Sequence, residues 1–201
     1  MSVQPQVFPR LLPIFGQLLS KPCWGIAAGA GTGTNFTMHF GKKVRRAVRV
    51  DNSSLNPDLQ KNEGEMILFV ECDWVVRSRG RMLFDSKKIS RDDRMVNALK
   101  SLIGQKVDSF AGLVPLNSMT IIFHNRATLS MRTSRPDPID PHDNLTLFVG
   151  DRSYTVASDL SLREEPWLTH HAMRITQPPG FEYTVEPVSR SRRRRHMHAL
   201  T

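Results

Sequence analysis

Three stretches of the chain align on a threonine: FTMHFGKKV (36–44), MTIIFHNRA (119–127) and LTLFVGDRS (145–153). Each runs apolar, Thr, apolar, any residue, Phe or Val, then two turn-forming residues and a basic or polar position. Asn35, Ser118 and Asn144 stand immediately before them and suit a strand entry. Thr, Phe, Ile and Val fit a pleated, half-buried surface, and Gly-Asp or His-Asn makes a tight turn. The pattern predicts a hairpin at each place, the first turning at Gly41, in a chain dominated by antiparallel β-structure. Such a degenerate motif arises by internal duplication or from the shared grammar of hairpins, and the sequence fits either.

This reading decides what the glycine-rich run GAGTGT (29–34) is for. A phosphate-binding loop needs its glycines to open a helix, whose free amides and dipole meet the anion. Here the glycines precede a strand. The spacing GxxxxGK[ST] is absent, Thr34 stands where GxGxxG requires its third glycine, and Lys42 and Lys43 come a full strand later. The run is therefore a close-packed entry to a strand.

The rest of the chain follows the same logic. PRLLPIFGQLL (9–19) predicts a short amphipathic helix interrupted by Pro9 and Pro13. GEMILFVECDWVVRSRGRMLF (64–84) predicts two strands, or one long bent strand, with Gly80 near the turn. Leu68, Val70, Cys72, Trp74 and Val76 form its core face. The clearest helix spans about 90–103. Ser90 is its N-cap, Asp93 occupies the third position, Met95, Ala98, Leu99 and Leu102 share one stripe, and Gly104 ends it. Residues 132–144 read as a proline-spaced loop, and QPPG (177–180) as a turn. The predicted class is α+β, mostly antiparallel hairpins with one clear helix packed on the sheet.

Charge sets the boundary of the folded part. Of 201 residues, 28 are Lys or Arg and 19 are Asp or Glu, a formal charge of +9. Arg190, Arg192, Arg193, Arg194 and Arg195 lie in the last dozen positions, leaving only +4 on the rest. The expected organisation is one globular domain over 1–189 and an Arg-rich, disordered tail over 190–201. Cys23 and Cys72, far apart and without a CxxC pairing, read as two buried free thiols. Apolar runs are too short to span a bilayer, and the prolines break up the start of the chain as a secretory signal. A cytoplasmic location with no membrane association is expected.

The combination PCWGIAAGAGTGTNFTMHFG, ILFVECDWVV and a capped helix leading into LIGQKV and SMTIIF resembles a family of small bacterial proteins of unassigned activity. The resemblance covers residues 10 to 132 and carries no catalytic signature. In size and β-rich architecture such proteins are similar to bacterial immunity and defence-associated proteins, which act by binding. It implies a binding role and names no functional residue.

Two constellations are candidates for chemistry. Glu71 and Asp73, two apart on a strand, project to one side with Ile67, Phe69 and Val75. They suit general acid/base work or a divalent cation, and they equally suit pairing with basic neighbours across the sheet. Lys43, Arg45 and Arg49 share one strand face by period two, as do Arg77, Arg79 and Arg81, with mostly apolar residues between (Val44, Val48, Val50, Val76 and Met82). If the two segments are neighbours, they make a basic face backed by core, suited to phosphates or an acidic protein surface. No aromatics alternate with the arginines, so a stacking platform for single strands is missing. The tail arginines Arg192, Arg193, Arg194 and Arg195 add a grip without sequence preference.

Histidine adds little. His170 and His171 point apart on a strand, and His39 and His124 fall in or beside turns and are expected to be exposed. His196 and His198 lie in the tail, and Asp137, Asp140 and Asp143 miss the calcium-loop pattern. No nucleophile motif is present. The expected function is therefore non-enzymatic binding of a protein partner through a β-sheet surface, with no cofactor or metal. A nucleic-acid-binding accessory role is the alternative, and an enzyme built on Glu71 and Asp73 a more distant one.

Overall fold

The computed structural model describes residues 7–28, 33–87, 92–113, 118–133, 143–157, 159 and 161–167. Most of these lie in two antiparallel sheets. The first orders six strands as β1 (Cys23–Ala28), β2 (Phe36–Arg45), β3 (Asn62–Val70), β9 (Leu145–Val149), β10 (Arg152–Val156) and β11 (Leu162–Pro166). The second orders five as β5 (Arg81–Asp85), β4 (Asp73–Ser78), β8 (Ala127–Arg132), β7 (Ser118–Phe123) and β6 (Val107–Leu113). Three helices accompany them, α1 (Val7–Gly16), α2 (Pro57–Lys61) and α3 (Asp92–Lys100). The chain is thus mostly antiparallel β, and it holds three helices where its periodicity predicts one clear one. Pro13 lies inside α1 without breaking it. The interruption expected there does not occur, although Pro13, the seventh residue of the helix, removes one i→i−4 bond.

The alternation of β3 and β4 explains how the sheets share a core. Leu68, Val70, Cys72, Trp74 and Val76 are all buried in one hydrophobic cluster. Between the strands, the amides of Glu71 and Cys72 both donate to the Asn144 carbonyl, at 3.0 and 2.8 Å. The parity of the side chains therefore persists while the chain passes from one sheet to the other. Trp74 ties the two together: its ring meets Phe36 of β2 edge-on at 4.8 Å, and its indole N–H donates to the Thr34 carbonyl at 2.8 Å. Met95, Ala98, Leu99 and Leu102 enter the same cluster from α3 and just beyond it, as do Leu11, Phe15 and Leu18 from α1 and the turn that follows.

Turn chemistry works out differently at the three motif copies. The hairpins at 119–127 and 145–153 form, β7 turning into β8 and β9 into β10 with Gly150 at φ 60°. The first copy does not reverse. Phe40 faces Met66 and Lys43 faces Gly64, so Gly41 and Lys42 together oppose Glu65 in a β-bulge, and β2 continues to Arg45. Gly41 adopts φ 74°, the left-handed conformation that a bulge needs as much as a turn does. Glu65 fixes the bulge by accepting from the Lys42 amide (3.0 Å) and from Lys21 Nζ (2.9 Å), which hold its carboxyl below its ordinary value.

A four-bond seam joins the outer side of β1 to β6. Ser20 N–H donates to the Val107 carbonyl (2.8 Å), Val107 N–H to Lys21 (3.1 Å), Cys23 N–H to Gln105 (2.9 Å) and Gly104 N–H to Cys23 (2.6 Å). The seam engages Cys23 of β1 and Val107 of β6, and β5 and β11 are the two sheet edges it does not touch. No helix among the described residues is long and apolar enough to cross a membrane. The expected N-cap at Ser90, the turn at 177–180, most of the 132–144 loop and the tail lie outside the described residues.

Candidate functional site

The two basic segments are not neighbours. Lys43 and Arg45 belong to the six-stranded sheet, whereas Arg77 and Arg81 belong to the five-stranded one. Nor does either segment form the expected stripe. β2 ends at Arg45, and Arg49 lies beyond it, its guanidinium donating to Gln60 Oε1 at 2.8 Å. Lys43 is engaged by Asp58 at 2.7 Å and stands 5.1 Å over the Trp24 ring. On the other segment the chain reverses at Arg79–Gly80, so Arg81 faces Ser78 while Arg77 faces Met82. Arg77 and Arg81 thereby point to opposite faces of the ribbon. The apolar backing is also incomplete: Val44 is 45% and Met82 41% exposed, although Val76 is buried. The two segments do not pair in one sheet, so the basic face expected from such pairing does not form.

Glu71 lies in the crossover between the sheets, outside any strand, and Asp73 begins β4 with Oδ2 at 3.0 Å from Lys87 Nζ. Pairing with a basic neighbour is thus what Asp73 does. Among the described residues, no three of His, Cys, Asp and Glu converge to hold a metal ion. Cys23 and Cys72 are free and buried, and burial pushes both thiols up to about 12. Arg192, Arg193, Arg194 and Arg195 lie outside the described residues.

His39, expected exposed, is 3% exposed. It lies on the outer side of β2, in register with Gly25 of β1 and Ile67 of β3. The short helix α2 covers this side, contacting β1 and β3 and burying Leu59 and Gln60. Gly25 makes room: a Cβ there would stand 2.8 Å from Leu59 Cδ2. His39 Nδ1 accepts from the Gly64 amide at 3.0 Å, so the neutral ring carries its proton on Nε2. Burial, reinforced by the Arg46 charge, pulls its pKa down to about 3. Arg46 in turn donates to the Leu59 and Asn62 carbonyls and pairs with Glu63 at 3.0 Å. Trp24 packs 5.5 Å from the imidazole with its indole N–H buried and unpartnered. This cluster is mostly self-satisfied and pins α2 to the sheet.

The β4–β5 hairpin is different. Among the described residues Arg77, Arg79 and Arg81 are exposed and make no ion pair, and β5 hydrogen-bonds only to β4. Beside the arginines, Met82 and Leu83 are 41% and 38% exposed on that edge strand. The bulge between Val76 and Arg77 accounts for Leu83: Val76 faces Phe84 and Arg77 faces Met82, leaving Leu83 without an opposite partner. An unpaired strand edge carrying apolar side chains and free guanidinium groups can add a strand from another chain and anchor it by arginine.

His124, Asn125 and Arg126, at the adjoining β7–β8 turn, were not legible as site residues; the only signal was turn-forming composition. Compared with protein-family models, curated proteins and solved structures, the chain matches none.

Proposed function

We propose that this is a non-enzymatic binding protein that engages an acidic protein partner through the β4–β5 edge, in the manner of bacterial immunity or defence accessory factors. The observation that carries the reading is the conjunction on one hairpin of Met82 and Leu83, exposed on its edge strand, with the unpaired Arg77, Arg79 and Arg81. Edge strands are usually blunted by charge to prevent association, and arginines alone fit that role. Two large apolar side chains on the same edge do not. They supply the dry contact that an interface core needs, while the guanidinium groups select an acidic partner.

A nucleic-acid role would need a continuous positive surface, and its two strand segments lie in different sheets. What remains for it is the tail. The test is capture from nuclease-treated host lysate with the full chain, with Met82→Asp, and with Arg45→Glu as a control. Each captured protein is then purified and titrated directly. A partner that binds the purified full chain and the control, and loses affinity for Met82→Asp at least tenfold, supports the reading. Partners indifferent to Met82→Asp refute it. Salt-dependent binding of fluorescent RNA or DNA that survives removal of residues 190–201 would also refute it and restore the alternative.

A further inference from the structure

We propose that the tips of the β4–β5 and β7–β8 hairpins form a binding site for the phosphate group of a small phosphorylated molecule. The ladder between β4 and β8 ends at the pair Ser78–Ala127, one residue short of each turn. Register alone therefore sets the two tips side by side. Between them is an open cleft of about 630 Å³ lined by Arg79, Gly80, His124, Asn125 and Arg126. The cleft is shallow and open to solvent, and every lining side chain is cationic, titratable or an amide, which suits one charged group rather than a whole enclosed ligand.

The backbone provides an independent argument. Among the described residues only three non-glycine residues have positive φ, and two of them, Arg79 (50°) and Arg126 (64°), line this cleft. Turn positions of that kind favour Gly, Asn or Asp, which reach the left-handed region at little cost. Arginine has no such advantage, and unlike Asn it offers the turn no local hydrogen bond. Strain held at two convergent cationic side chains is a signature of a site rather than of a turn optimised for folding. Two planar guanidinium groups are suited to the oxygens of a phosphate, with each able to donate in a fork. His124 stands at the rim, its Nε2 3.6 Å from Asp108 Oδ1, and Asn125 Oδ1 is occupied by the Ala127 amide at 2.9 Å. The two arginines thus provide the grip.

The site shares Arg79 with the proposed docking surface, but Arg126 and His124 lie on the neighbouring hairpin and Met82 and Leu83 do not line the cleft, so Arg126→Asn and Met82→Asp let either idea fail alone. The experiment is calorimetric titration of the full chain at low salt with inorganic phosphate, a nucleoside monophosphate and the matching nucleoside. The variants are Arg79→Asn, Arg126→Asn and Arg126→Lys, with Lys61→Asn as a control for net charge. The expected result is saturable binding of both phosphates and none of the nucleoside. Affinity falls about tenfold or more in each Asn variant, as loss of a charged hydrogen bond implies. It is retained in Lys61→Asn and falls less in Arg126→Lys than in Arg126→Asn, because lysine keeps the charge and loses the fork. The melting temperatures of the Asn variants equal or exceed that of the parent, which separates lost binding from lost folding. Unchanged affinity in both Asn variants overturns the proposal, because the tail arginines remain intact in them. Equal loss in Lys61→Asn, or equal binding of the nucleoside, also overturns it.

Discussion

Replacing His39 by Asn gives the sharpest test of the packing on the outer side of β2. Asn places an acceptor near the position of Nδ1, so the bond from the Gly64 amide can be kept while the titrating ring is removed. At pH 7.5 the variant is expected to be less stable by about 1–2 kcal/mol, because most of a buried ring is lost without full collapse of the site. The sign of the pH effect follows from protons bound. An unfolded histidine titrates near 6.5, whereas folded His39 is held down to about 3 by burial and by Arg46. Between those values the unfolded chain binds the extra proton, so stability falls as pH falls below 6.5 and is fully present above it. At roughly 1.4 kcal/mol per unit, the group withdraws about 2–3 kcal/mol between pH 7.5 and 4.5. The stability of the Asn variant lacks this contribution. Urea unfolding at both pH values should therefore show the variant weaker at 7.5 and equal or stronger at 4.5. A constant gap between the two proteins would refute the assignment of His39 as a neutral, buried group.

Three further outcomes are expected. Gly64→Ala should destabilise the protein by about 3 kcal/mol in urea titration, because the new Cβ would meet the Met66 carbonyl at 2.5 Å and the Phe40 amide at 2.8 Å; both are backbone atoms of paired strands and cannot move aside. Trp74→Phe removes the indole donor to the Thr34 carbonyl and empties part of a buried ring site, at a cost of about 2 kcal/mol by the same assay. Cys23 and Cys72 should resist a thiol-modifying reagent at pH 8 in the native protein and react at once in denaturant, since the thiolate is the reactive form and burial suppresses it.

The sequence exposes what depends on neighbours along the chain. Alternation from Leu68 to Val76 identifies the core face even though the strand breaks at Glu71–Cys72, because parity survives the crossover. The stripe of Met95, Ala98, Leu99 and Leu102 and the turns at Gly80 and Gly150 are legible for the same local reason. Gly41 misleads because the left-handed residue of a bulge and that of a turn look alike until the opposite strand is known. His39 misleads because the turn expected beside it is a bulge in a continuing strand, and because its cover, Leu59, comes from a five-residue helix twenty positions later. The basic segments are the clearest case. Periodicity assigns a residue to one side of a strand and contains nothing about which sheet that strand joins. At the hairpin tips, composition shows turns, and only the register of β4 against β8 brings Arg79 and Arg126 to one cleft.

The seam between residues 20–23 and 104–107 has a kinetic meaning. Its partners are roughly ninety positions apart, so closing it early would restrict most of the intervening chain before other contacts compensate. The β2–β3, β4–β5 and β7–β8 pairs join segments much closer along the chain and can form first. The β3–β9 pairing spans a similar separation, so the two close late together, and the seam, with only four backbone bonds, is the one set to part first in native fluctuations. Amide exchange would register this directly: the Ser20, Cys23 and Val107 protons should exchange through a smaller opening than those of β3 and β8.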